Sequence, residues 1–188
     1  MRAPEHKINV INDRPSIDEY MMGLAEHAAK RTTCLRRGVG CVLTSKKNQV
    51  LAIAYNGNAA GLDHCNQAVW AADEKAGYQV LSLNPLVEKP IKMVKKYPLA
   101  CEHALEPEGR LSCEAVHAEQ NALMQCTAIS SVHTAYVTRS PCKSCLKLLL
   151  NTSCQRIVFA NEHSDQTPKL LWEKTGRVWE QFCARAIV

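Results

Sequence analysis

The sequence predicts an α/β sandwich in which helices cover a mixed sheet. Two β-rich runs, Val39 to Thr44 and Val50 to Tyr55, flank the polar turn Ser45-Lys46-Lys47-Asn48 and read as an antiparallel hairpin. After Cys113, helical and strand-like segments alternate, the pattern of layered α/β domains. With 188 residues, 46% of them hydrophobic and 22% charged, the chain suits one domain with a sizeable core rather than disorder. Residues 1–188 are therefore expected to form a single domain.

The first helix is expected from Ser16 to about Lys30. Ser16-Ile17-Asp18-Glu19 reads as a capping box, and Ile17, Met21, Leu24, Ala25 and Ala28 recur at helical spacing. The hairpin follows, with Asn56-Gly57 ending its second strand. Residues 58–112 form a long insertion. Pro85, Pro90 and Pro98, interleaved with Lys89, Lys92, Lys95 and Lys96, do not read as a regular core element, although Gln67 to Val80 has room for a short helix. A connection this long is expected to be functional or tied down. Beyond it, helices are expected at Ala115–Cys126, Cys142–Asn151 and Pro168–Thr175, and strands at Ala135–Thr138, Arg156–Ala160 and Arg177–Phe182. No internal repeat or low-complexity tract interrupts the chain.

The net charge of +5 favours an anionic partner of nucleotide size and is too mild for a nucleic-acid groove. Aromatic content of 5% also argues against a long base-stacking surface. No apolar run approaches the ~18 residues of a membrane span, and Met1 to Arg14 contain no apolar signal core. A cytoplasmic protein with no membrane partner is the expectation, and in that compartment the ten cysteines persist as thiols or metal ligands. Cys41 and Cys126 sit among apolar neighbours and read as core residues.

His117-Ala118-Glu119 and Pro141-Cys142-Lys143-Ser144-Cys145 carry the chemistry. His117, Cys142 and Cys145 supply three zinc ligands, and three protein ligands leave the fourth corner of the tetrahedron open, as in catalytic sites. Cys142 and Cys145, at i and i+3 from a helix start, present both sulfurs to one side where free amides favour thiolates. Glu119 is then a spare carboxylate, placed to move protons. A lone C-x-x-C also fits half a zinc ribbon or a redox pair. A ribbon needs a second C-x-x-C, which the chain lacks, and a redox pair leaves His-Ala-Glu without a purpose.

This pair of motifs resembles the signature of the zinc nucleobase deaminases, H-x-E followed by P-C-x-x-C. Further segments narrow the resemblance. Val39–Leu43, Tyr55-Asn56-Gly57, His117 to Leu123, and Tyr136 to Cys142 look like the deoxycytidylate (dCMP) deaminase family. So do Arg31 to Arg37 and the loop Gly61-Leu62-Asp63-His64-Cys65, which resemble microbial and phage members. The match spans roughly residues 16–65 and 110–160. It is weaker to transfer-RNA adenosine deaminases and to the riboflavin-pathway deaminase. A non-catalytic, zinc-stabilised nucleotide-binding module stands as the reading from another class, and the intact Glu119 argues against it.

The resemblance implies a three-layer α/β/α sandwich around a sheet of about five strands, the cytidine deaminase-like fold. It implies hydrolytic deamination of dCMP to dUMP at a Zn²⁺ held by His117, Cys142 and Cys145, with Glu119 as the proton shuttle. A modified or triphosphorylated pyrimidine nucleotide is the alternative substrate. Activation by dCTP, inhibition by dTTP, Mg²⁺ accompanying a triphosphate effector, and a homo-oligomer, commonly a hexamer, also follow from it. Tyr55, Asn56, Gly57, Arg31 and Ser140 are expected to meet substrate or effector, although Ala54 stands where the family's effector segment begins with glycine. Asn56 either holds a sugar or nucleotide group or merely turns the chain with Gly57. Arg31, Arg36, Arg37 and Arg139 could grip a 5′-phosphate, one or two of them at most. Related members also suggest a second, structural zinc drawn from Cys34, His64, Cys65, Cys101, His103 and Cys113, which would hold the 58–112 insertion.

Overall fold

The structure is a computed structural model and describes residues 14–34, 37–62, 64 and 115–183. The short helix expected within 67–80 lies outside the described residues.

Helix α1 (Ile17–Ala29) opens the domain, its Ser16 hydroxyl accepting from the Glu19 amide while the Glu19 carboxylate accepts from the Ser16 amide. Strands β1 (Gly40–Thr44) and β2 (Val50–Tyr55) form the antiparallel hairpin, with a register shift at Leu43/Thr44. Two short strands, β3 (Gly57–Asn58) and β4 (Ala115–Val116), pair antiparallel, and α2 (Ala118–Gln125) follows directly. The remaining elements are β5 (Thr134–Arg139), α3 (Lys143–Leu150), β6 (Arg156–Asn161), α4 (Thr167–Glu173) and β7 (Val178–Gln181). The main sheet runs β2-β1-β5-β6-β7: β1 is antiparallel to its two neighbours, whereas β5, β6 and β7 are parallel. This is the mixed five-stranded sheet the sequence predicts.

Strand alternation divides the core into two faces. Cys41, Leu43, Ala135, Val137, Ile157 and Phe159 point to one side and pack with Ala118 and Ala122 of α2, Leu146 and Leu149 of α3, and Trp172 of α4. Val42, Tyr136 and Val158 point to the other and meet Met21, Met22 and Ala25 of α1. Three layers result. Because helices cover both faces of β1, its five residues are buried without alternation.

One expectation is corrected. The helix expected from Ala115 begins at Ala118, because Ala115 and Val116 spend their backbone groups on Asn58 and Gly57. Asn56-Gly57 ends β2 as expected, and it also carries the chain from the main sheet into this second ladder. The other boundaries fall within a residue or two of expectation.

Helix α1 is fixed to the sheet at two points. Arg156, at the start of β6, grips Asp18 in bidentate fashion (2.8 and 2.7 Å) and also bonds Glu180 at 2.7 Å, while the Tyr136 hydroxyl donates to Asp18 at 2.7 Å. The guanidinium holds the Asp18 carboxyl below its usual value. At the other end, Gly40 lies so close to α1 that a Cβ there would collide with the Ala25 carbonyl and the Ala29 amide.

Two measurements check these anchors. Gly40→Ala places a methyl against helix backbone that cannot yield, and should lower unfolding stability by about 3 kcal/mol. Asp18→Asn should cost about 1–2 kcal/mol at neutral pH. Because the folded-state pKa of Asp18 is depressed, its contribution is full above the unfolded value near 3.8 and fades as pH falls through the lower folded value. Denaturant titrations should therefore show the wild-type and Asp18→Asn curves converging in strong acid.

Candidate metal centre

The first turns of two helices build the site. His117 is the N-cap of α2, with φ −72° and ψ 156°, and its amide donates to the Gln120 side chain at 2.9 Å. Gln120 thus satisfies the His117 amide at the start of the helix. Cys142 is the N-cap of α3 and Cys145 lies in its first turn, with Pro141 leading in. The two helices share the same side of the sheet, where Ala118, Ala122, Leu146 and Leu149 anchor them in one core.

His117 Nδ1 lies 3.5 Å from Cys142 Sγ and 3.4 Å from Cys145 Sγ, and all three donor atoms fall within 4.8 Å of one another. A tetrahedral zinc with Zn–S of about 2.3 Å and Zn–N of about 2.05 Å has N···S edges of roughly 3.6 Å. The observed separations match those edges, so the donor set fits zinc in number, softness and spacing. Among the described residues this is the one group of three or more such side chains close enough to share an ion.

The protonation pattern has the same character. Hydrogen bonds from Cys145 and His117 pull the Cys142 thiol down to about 3, so its sulfur is a thiolate at neutral pH. Cys145 is pushed up, because losing its proton would set a second negative charge against Cys142 in a desolvated spot. A divalent cation between them removes that penalty and lets both sulfurs ionise. Glu119 is 3% exposed. Burial pushes its carboxyl up to about 7, offset in part by its own backbone amide and the His117 charge. A carboxyl poised there can both take and return a proton at neutral pH, and a nearby cation would draw it lower.

The other expected residues are placed as follows. The Tyr55 carbonyl accepts from Asn121 Nδ2 at 2.8 Å, which ties β2 to α2. Asn56 is buried: its Oδ1 accepts from the Val39 amide and the Thr32 hydroxyl, both at 2.8 Å, and its Nδ2 donates to the Arg37 carbonyl at 2.9 Å. Its side chain is committed to shaping the loop before β1. Gly57 is buried in the β3–β4 ladder. Ser140 is buried, its hydroxyl accepting from the His163 amide at 2.8 Å. Arg31 is exposed just beyond α1, its amide bonded to the Ala28 carbonyl.

Of the second candidate set, Thr33 beside Cys34 contacts His64 Nδ1 at 3.3 Å, and Cys34 lies within electrostatic reach of His117. Cys65, Cys101, His103 and Cys113 lie outside the described residues. Thr32, Gln120, Asn121 and His163 carry structural duties that the motifs alone did not assign. Gln120 in the first turn of α2 was the one legible signal, as the Gln of a capping box.

A family model described as "Cytidine and deoxycytidylate deaminase zinc-binding region" matches residues 15–161. The chain belongs to this deaminase family. Its similarity to the deoxycytidylate deaminase of Mycobacterium phage D29 is 32% identity over 150 residues, spanning 79% of this chain and 98% of that protein. The fission yeast Schizosaccharomyces pombe deoxycytidylate deaminase is 28% identical over 80% of this chain, which spans only 39% of the yeast protein. The fold is shared with the dCMP deaminase of cyanophage S-TIM5 crystallised with dCMP and dUMP, at a TM-score of 0.57 and 21% identity, over 90% of this chain and 98% of that one. No helix among the described residues of this deaminase is long and apolar enough to cross a membrane.

Asn56 gives the test of this geometry. Asn56→Ala leaves the Val39 amide and the Arg37 carbonyl unpaired, and should destabilise the protein by about 2–3 kcal/mol without any nucleotide present. A ligand-free thermal melt reads this directly; an unchanged melt would return Asn56 to a ligand-binding role alone.

Proposed function

We propose that the protein is a zinc-dependent deaminase that hydrolyses dCMP to dUMP and ammonia. The observation that carries this reading is the placement of a buried, proton-poised carboxylate, Glu119, against an imidazole and two sulfurs spaced at the edges of a zinc tetrahedron. His117, Cys142 and Cys145 would hold the ion, which when bound supplies the Lewis acidity that activates water at neutral pH. Glu119 takes a proton from the attacking water and passes it to the pyrimidine ring nitrogen, then helps protonate the departing amine. Its burial excludes bulk water, so the proton stays in the site. The names of the related phage and yeast enzymes support dCMP as the substrate.

The reading extends to control by dCTP and dTTP, Mg²⁺ arriving with the triphosphate. Tyr55 is bonded to α2 through Asn121, and Asn56 to the loop before β1, so a nucleotide held at residues 55–57 would act on the helix that carries His117. It also includes a second zinc that ties Cys34 and His64 to the insertion within a single domain, assembly into a homohexamer, and a cytoplasmic setting.

Ammonia release from zinc-loaded protein should be seen with dCMP, rise with dCTP and fall with dTTP. Glu119→Gln should retain zinc while kcat drops by about a hundredfold or more, and Cys142→Ala should lose the catalytic ion. Zinc analysis should find two ions per wild-type chain. Turnover of RNA stem-loops with none of free nucleotides would overturn the substrate assignment, and full activity in folded Glu119→Gln would overturn the mechanism.

A further inference from the structure

Helix α3 starts without a side-chain cap. Its N-cap is Cys142, whose sulfur makes no capping hydrogen bond and stands 3.5 Å from His117 Nδ1 as a metal donor. A serine, threonine or aspartate at this position would pin the entry of the chain into the helix; a sulfur committed to an ion does not. Pro141, buried just before it, has no amide to contribute. The restraint on Cys142 must come from further upstream.

Ser140 supplies it. Its amide donates to the Asn161 carbonyl at 2.9 Å, and its hydroxyl accepts from the His163 amide at 2.8 Å. Asn161 in turn donates from Nδ2 to the Thr138 carbonyl at 3.2 Å and is paired with Arg139 in the β5–β6 register. The β6–α4 loop thus follows the β5–α3 turn past the end of the sheet and clasps it. That loop is itself held: the Asp165 amide donates to His163 Nδ1 at 3.0 Å, and the Thr167 amide to Asp165 Oδ1 at 2.9 Å. It leads into α4, whose buried Trp172 shares an apolar layer with Leu146 and Leu149 of α3. Ser140 is 4% exposed, so the His163 amide would find no ready substitute for its hydroxyl.

We propose that Ser140 is a positioning residue for the metal: by accepting from the His163 amide it clamps the turn before α3 to the β6–α4 loop and sets Cys142 at the spacing from His117 that zinc requires. This rests on the zinc-site reading above. It differs from a substrate contact, because the hydroxyl acts through Cys142, two residues on. Coupling of this kind is reciprocal. If the clasp strengthens zinc binding by some factor, zinc must stabilise the clasp by the same factor.

The test measures zinc affinity, by competition with a chelator, in wild type, Ser140→Ala and Asp18→Asn. Ser140→Ala should bind zinc about tenfold more weakly. Asp18→Asn loosens α1 on the opposite face of the sheet and should stay within about twofold of wild type. At saturating zinc, Ser140→Ala should keep the wild-type KM for dCMP. A raised KM with unchanged zinc affinity would overturn the proposal and make Ser140 a substrate contact. Equal weakening of zinc in both variants would also overturn it, reducing the clasp to general stability. Hydrogen exchange at the His163 amide of wild type needs no variant to fold. It should slow about tenfold at saturating zinc, by the factor that Ser140→Ala loses in affinity. Exchange that ignores bound zinc would remove the clasp while leaving the metal site standing. Failure of wild type to bind zinc would overturn both. Neither zinc titration nor exchange depends on turnover, so each decides the matter even if dCMP proves not to be deaminated.

Discussion

For His117 Nδ1 to stand 3.5 and 3.4 Å from two sulfurs, the first turns of α2 and α3 must be fixed against each other to within a few tenths of an ångström. Neither helix could hold that position alone, since each has only eight residues, too few to persist in water without tertiary packing. Their placement comes from below. Alanines at 118 and 122 and leucines at 146 and 149 seat both helices in the same apolar layer over β1, β5 and β6. The precision of the metal centre is therefore a property of the core.

The same layer sets the electrostatics. A carboxylate and two thiols brought together under apolar cover are costly to ionise simultaneously, and the protons redistribute: Cys142 gives its proton up, while Cys145 and Glu119 are pressed to keep theirs. Such a group is poorly designed for stability and well designed for a cation and for proton traffic. The contrast with Arg156 is instructive, because there two carboxylates satisfy one guanidinium, a tyrosine hydroxyl donates to one of those carboxylates, and the cluster pins α1.

Much of this was legible in the sequence. The capping box at Ser16, the hairpin, and the alternation after the insertion each follow from local rules, and the motif pair located all three sulfur and nitrogen donors. The extended entry at Ala115–Val116 was not legible, because its strand partner lies more than fifty residues earlier and two-residue ladders have no period to detect. Asn56 shows the same limit in another form. An Asn-Gly pair announces a turn, but whether its side chain faces a ligand or folds back on Thr32, Arg37 and Val39 depends on a loop whose path the sequence does not encode locally. In the sequence Arg139 is one arginine among several; its distinction, a buried Nε without a hydrogen-bond partner, exists only in three dimensions.

The small β3–β4 ladder has a consequence for how such domains vary. Asn58 is paired with Ala115, which brings the residues on either side of the long insertion to a strand spacing of about 4.8 Å. Whatever lies between is closed at its base before it can act on the site. The entropy of closing a loop grows only logarithmically, by about 0.6 kcal/mol for each doubling of length. A pinched base of this kind lets the intervening segment lengthen, shorten or change composition while His117, one residue past the clamp, stays where it is.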